Sequence, residues 1–136
     1  MENQATMLQF DWDEVDGANV TAVLATGSGV MSDGSLVCEQ IALVVGAKAV
    51  VMRVDDDTDE VIVSLEEAAA LSDASWQTLG QLSEIDSQRL GWCWGGRNNR
   101  GYLDTFMIAL QGIDPSYTFT GAGSRLQCAR VTSIAG

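Results

Sequence analysis

The densest group of side chains able to do chemistry lies between residues 92 and 104: Trp92-Cys93-Trp94, then Asn98, then Gly101-Tyr102-Leu103-Asp104. In a strand, Trp92 and Trp94 point to one face, and Tyr102, Asp104 and Phe106 share a face of the strand that returns. If the hairpin register joins those faces, aromatic rings surround a single carboxylate. That is the make-up of a small-molecule or peptide pocket with Asp104 as its polar anchor. Cross-strand aromatic packing explains the same rings without a ligand. Asn98 or Asn99 and Gly101 then serve only to supply the positive φ of a tight connection. The candidate ligand-binding residues are therefore Trp92, Trp94, Asn98, Tyr102 and Asp104.

Other constellations carry less. The acidic run Asp55, Asp56, Asp57, Asp59, Glu60 offers oxygens to a hard cation, but its spacing is not that of a calcium-binding loop. A solvated hairpin tip accounts for it. Gly27-Ser28-Gly29-Val30-Met31-Ser32 half-matches a phosphate-cradling loop. It lacks the third glycine and the helix that would have to follow. Histidine is absent, which removes His-based triads, His metal ligands and His acid–base work. Cys38, Cys93 and Cys128 form no C-x-x-C pair and sit among apolar neighbours, which suits buried, reduced thiols. No cofactor and no metal site is expected, and no catalytic set is assembled.

The elements that must position these residues are mostly strands. Val20 to Ala25, Leu36 to Val45, Ala49 to Val54 and Glu60 to Val63 read as strands, with a glycine-rich loop at Thr26 to Gly34. In the second of these, Val37, Ile41, Leu43 and Val45 share a face and Glu39 interrupts it. Ser64-Leu65-Glu66-Glu67 fits a helix capping box and is followed by Ala68-Ala69-Ala70-Leu71. Leu90 to Trp94 and Tyr102 to Leu110 flank the turn-rich 95–101 segment as a hairpin. Pro115 marks a bend, and Tyr117 to Thr120 and Arg125 to Ile134 complete the set. The expectation is an α+β domain spanning residues 1–136. It is mainly an antiparallel, curled β-sheet of seven or eight strands, with one or two short helices.

Composition narrows the function classes. The 136 residues carry 7 Lys and Arg against 19 Asp and Glu, a net charge of −12. Residues 1 to 88 hold 17 acids against Lys48 and Arg53, a net of −15; residues 89 to 136 hold five arginines against Asp104 and Asp114, a net of +3. Such a chain is repelled by phosphate backbones and anionic lipid, so nucleic-acid and membrane partners are not expected, and a basic protein partner is. The longest apolar runs, Ile41 to Val45 and Phe106 to Leu110, are far short of the roughly 20 residues of a membrane helix. No secretory signal is readable at the N-terminus, and the reduced-thiol pattern fits the cytoplasm. The weakly charged strands of residues 105 to 136 could meet a second copy, for which a twofold dimer is the default outcome.

The run Trp92-x-Trp94, Asn98-x-x-Gly101-Tyr102-x-Asp104 and the later Ser124-x-Leu126 resembles a family of small bacterial proteins of unknown function. Asp57-Thr58-Asp59-Glu60-Val61 resembles its acidic strand entry, and Arg100 stands where the family pattern has Gln. The resemblance implies no activity. Two function classes lead: a non-enzymatic, cytoplasmic interaction protein, immunity-like, with an acidic surface; or a small-ligand binding module lined by Trp92, Trp94, Tyr102 and Asp104. An enzyme using Asp104 or another carboxylate with an arginine ranks behind both, because no tuned acid–base pair is visible.

Overall fold

Alternating Val, Ile, Leu and Ala favour extended chain with one buried face. In the computed structural model, which describes residues 7–132 and 134, these runs form strands β1 (Ala22–Thr26), β2 (Gly29–Val30), β3 (Leu36–Cys38), β4 (Gln40–Val45), β5 (Lys48–Val54), β6 (Val61–Glu67), β7 (Gln77–Thr78), β8 (Leu90–Arg97), β9 (Leu103–Leu110), β10 (Pro115–Ala122) and β11 (Arg125–Arg130). They make two antiparallel sheets, β6-β5-β4-β1-β7 and β2-β3-β11-β10-β9-β8. The expected single curled sheet of seven or eight strands is thus replaced by two packed sheets and eleven strands. The sandwich buries both inner faces in one core without either sheet curling on itself.

The reason is visible at Glu39. Leu36 to Val45 is not one strand: β3 belongs to the second sheet and β4 to the first. Across the exposed Glu39, whose N–H donates to the Thr26 carbonyl at 2.9 Å, the inward positions change phase, from Leu36 and Cys38 to Ile41 and Leu43. Val37 consequently pairs with Gln127 on the outer side rather than sharing a face with Ile41. One residue of phase turns every side chain over, and here it carries the chain from sheet to sheet.

Between the sheets, Val50 pairs with Leu43 and Leu65, and Met52 with Ile41 and Val63. Opposite them Phe119 pairs with Phe106 and Cys128, and Tyr117 with Ile108. These residues form a single buried cluster, and each large side chain in it contributes roughly 1.5–3 kcal/mol of transfer free energy. Met7 to Gln9 runs alongside β6, with Val63 N–H donating to Met7 O and Gln9 N–H to Val63 O, both at 2.8 Å. Trp12 then crosses to the other sheet: its Nε1 donates to Gly91 O at 2.8 Å, and its ring meets Phe106 edge-on at 5.8 Å.

The helices differ from expectation in kind. Those among the described residues are 3₁₀ turns at Trp12–Glu14, Ala68–Leu71 and Gly80–Ile85. The expected capping box does not cap. Ser64 to Glu67 continues β6, in register with Val51 to Lys48. Val61, Val63 and Leu65 already alternate into the core, and that tertiary burial outweighs a local capping preference. The Ser64 hydroxyl instead accepts from Arg53 and donates to the Glu66 carboxylate, at 3.2 and 3.0 Å. Ala68 to Leu71 folds back over the outer face of the first sheet, where Leu71 packs with Ala42, Ala49 and Val51, and Leu24, Val44 and Trp76 lie against them. No helix among the described residues is long and apolar enough to cross a membrane.

Candidate functional site

The β8–β9 hairpin holds the five singled-out residues, and two irregularities decide where they point. Gly95 faces Phe106 and Gly96 faces Thr105, but Arg97 faces Leu103. Asp104 is therefore the extra residue of a β-bulge, which lets Leu103 turn into the core while Asp104 leaves the inward row. A second register shift lies between Leu90 and Cys93. Cys93 packs against the core, Trp94 pairs with Met107, and Trp92 and Trp94 lie side by side on the outer face, ring centroids 6.4 Å apart. Phe106, 1% exposed, is on the other side. The alternation that would have placed Tyr102, Asp104 and Phe106 on one face is broken by the bulge. The rings do not close round the carboxylate.

Asp104 and Asn98 form a clamp on the turn. Asn98 Nδ2 donates to Asp104 Oδ2 at 3.2 Å, and Thr105 Oγ1 donates to Asp104 Oδ1 at 3.3 Å. The Asn98 side-chain oxygen accepts from the N–H groups of Arg100 and Tyr102, at 2.8 and 3.2 Å. Gly101 takes the positive φ of the turn, +89°, a region that disfavours any side chain. Asn98 and Asp104 are half-buried and Tyr102 is 40% exposed. Trp92 is 56% exposed and borders a shallow cleft of about 310 Å³ with Asp16, Arg89, Gln111 and Ile113. Asp104 is not part of that cleft. Gly91 lets the β9–β10 turn lie against β8 there: a Cβ on it would overlap the backbone of Gly112, whose carbonyl accepts from Trp92 N–H at 3.1 Å.

The outer face of the second sheet extends from these tryptophans. Trp94 pairs with Met107, Met107 with Thr118 and Thr118 with Ala129. In the next row Gly96 pairs with Thr105, Thr105 with Thr120 and Thr120 with Gln127. No ionisable side chain stands in either row.

The acidic loop is not a free, solvated tip. Asp59, at φ +59°, accepts from Ser124 N–H at 2.8 Å and Gly123 N–H at 3.2 Å. Glu60 Oε2 accepts from Leu103 N–H at 2.9 Å, beside the bulge. A Cβ on Gly121 would overlap the Asp59 carbonyl, so the loop backbone lies directly on β10. Two carboxylates thus tie the β5–β6 turn to the β9 start and the β10–β11 turn, while Asp56 and Asp57 stay exposed. A second unforeseen contact joins Glu84, Tyr117 and Arg130. The buried Tyr117 hydroxyl donates to Glu84, which also receives Arg130 Nε at 2.9 Å and Nη2 at 2.7 Å. These partners lie 33 to 65 residues apart, and no local spacing signals them. The one local hint was the Asp at position 59, a residue type that tolerates a left-handed backbone.

The three thiols sit in different electrostatic surroundings. Cys38 and Cys128 are inward neighbours on β3 and β11. The Cys128 thiol hydrogen-bonds to Cys38, which lowers the Cys38 pKa and raises that of Cys128. Burial, reinforced by the Asp16 carboxylate, pushes Cys93 up to about 11. Ser35 and Ser75 donate through side chain and backbone to Asp33 and Asp73 and hold both carboxyls below the usual range. Among the described residues no group of three or more His, Cys, Asp or Glu could hold a metal ion.

These features define a small, two-sheet antiparallel β-sandwich with an exposed tryptophan hairpin. The chain belongs to a family of unknown function (DUF6334), whose model matches residues 1–135. Neither a curated protein nor a solved structure matches it.

Proposed function

We propose that this is a non-enzymatic cytoplasmic interaction protein, immunity-like in its logic, whose acidic surface engages a basic protein partner. The observation that carries this reading is that folding leaves the acidic charge largely unneutralised. Among the described residues, only Glu66, Glu67 and Glu84 lie within ion-pair distance of a cation. Asp11, Asp13, Glu14 and Asp16 are exposed within one turn at the start of the described chain, and Asp56 and Asp57 at the β5–β6 loop. Like-signed surface charge of this density raises the rate at which a cationic partner is captured, and the effect falls with salt. The test is affinity capture from the native host at low and high NaCl, with the parent chain and with Asp13→Lys/Glu14→Lys. A basic protein held by the parent, released by salt and missed by the variant is expected. Capture insensitive to both changes overturns the reading.

A second reading is favoured by the cleft beside Trp92. There an exposed indole stands next to Arg89, Asp16 and Gln111, an aromatic surface with a few polar groups, as ligand sites have. Titration of a metabolite panel into the chain, read by tryptophan emission, tests it. A saturable change that Trp92→Phe weakens supports a ligand site; no saturable change with any compound removes it.

A further inference from the structure

We propose that the outer face of the second sheet, over whose central rows no segment among the described residues forms a lid, is the contact between two copies of this chain, related by a twofold axis running along the strands between β10 and β11. This surface differs from the acidic one proposed for the basic partner, and the two can be occupied together.

Charge favours this face. Two copies each carrying −12 repel wherever their acidic surfaces meet. The central rows of this face hold no ionisable side chain, so a contact here keeps the carboxylates at its rim. There the screening length of roughly 8 Å at physiological salt weakens their repulsion. Residue type favours it as well. Trp and Met are enriched at protein contacts, and exposed Trp is a frequent anchor. Trp92 is 56% exposed and Met31, on the opposite edge of the sheet, 53%.

The strand register makes the face self-matching. The outer row runs Trp94, Met107, Thr118, Ala129 across β8 to β11. It continues past Ser35, whose carbonyl accepts from Met31 N–H at 2.8 Å. A twofold axis between β10 and β11 lays β8 across the partner's β2 edge. Trp94 then meets the partner's Met31, a sulfur–aromatic pairing, and the small Thr118 and Ala129 sit at the axis, where the two sheets approach most closely. At the turn end of β8, Arg97 and Arg100 come toward the partner's Glu39, which follows β3. Such a contact is self-complementary, as a closed dimer requires.

The face is also large enough. Six strands about 4.8 Å apart, from two residues in β2 and three in β3 to eight in β8, β9 and β10, present roughly 570 Å². Twice that clears the roughly 1,000 Å² that separates specific interfaces from incidental contacts.

Sedimentation equilibrium of the full chain at tens of micromolar tests the proposal. A mass twice the 14.5 kDa of the chain is expected. Thr118→Arg, which buries two unpaired charges at the axis, is expected to weaken association on the order of 100-fold or more with an unchanged circular dichroism spectrum. Ala129→Glu, at an exposed position, does the same and replaces Thr118→Arg if that variant does not fold. Ala70→Arg, on the turn covering the first sheet, leaves the mass doubled. A parent chain that sediments as a monomer overturns the proposal, as does a dimer that survives both charge insertions. Either result leaves salt-sensitive capture of a basic partner unaffected, so the two readings fail separately.

Discussion

The outer faces of the two sheets are built on the same pleat and end in different places. On the first sheet Ala42, Ala49 and Val51 face outward, and the chain itself closes over them with Leu71 and Trp76. Where that cover stops, Arg53, Ser64 and Glu66 form a hydrogen-bonded, charged end. On the second sheet the outward rows are Trp, Met, Thr, Gln and Ala, and no segment of the described chain is packed over their centre in the same way. The first face is finished within one chain. The second is tolerable in water because threonine and glutamine soften it, yet its edges leave Trp92 and Met31 exposed. Small apolar residues in outward rows call for an intramolecular lid; hydroxyls and large exposed rings mark a face left for something else.

The sharpest test of this contrast inserts one carboxylate on each face. Val51 is 2% exposed under the lid, so Val51→Asp is expected to cost about 3–5 kcal/mol as a buried, unpaired charge. Thr118→Asp on the open face is expected to change stability by less than about 1 kcal/mol, measured in denaturant at concentrations where only monomer is present. Equal losses at both positions would break the comparison. Removing the lid's anchor comes next. Leu71 is 7% exposed, and Leu71→Ala should cost about 2–3 kcal/mol by urea denaturation.

A smaller effect belongs to the hairpin that borders the open face. Asp104→Ala strands the Asn98 amide and is expected to cost about 1–2 kcal/mol, with Asp104→Asn costing less. Asn98→Ala should equal or exceed it, because Asn98 also holds two backbone N–H groups of the turn. A melting curve indistinguishable from the parent for Asp104→Ala would show that the carboxylate does not clamp the turn.

How much of this was legible in the residues depends on range. Alternation located β5 and β9 to within a residue, covered parts of β8 and β10, and ran β3 and β4 together; that Trp92 and Trp94 share a face followed from period two, but not which face. Glu39 was visible as an interruption; that it moves the chain between sheets was not, because a phase change looks like noise until both partner strands are known. Ser64 to Glu67 carried a local helix signal that lost to the inward positions of Val61, Val63 and Leu65. The site was harder. A β-bulge at Asp104 has no local sequence mark, yet it redirects every residue on the turn side of it. The contacts of Asp59 and Glu60 join backbone N–H groups more than 40 residues away, and a backbone donor has no residue type to read.

The last prediction concerns the inner side of the same strand and leaves stability untouched. Trp92 and Trp94 stand outward on β8, and Cys93 between them turns toward the core. Burial and the nearby Asp16 carboxylate both penalise its thiolate, which pushes the thiol up to about 11. The thiolate is the reacting species, and an unperturbed thiol near 8.5 is about one quarter ionised at pH 8, against about one part in a thousand for Cys93. Alkylation by iodoacetamide at pH 8 should therefore run on the order of 100-fold slower than for a model thiol, and accelerate about tenfold per pH unit up to pH 10. Asp16→Asn removes the smaller of the two causes and should speed the reaction only modestly. Mass spectrometry of the peptide carrying Cys93 reads all three rates. Rapid labelling at pH 8 under native conditions would mean that β8 exposes both its sides, and the division into a core-facing and an open face would fail on this strand.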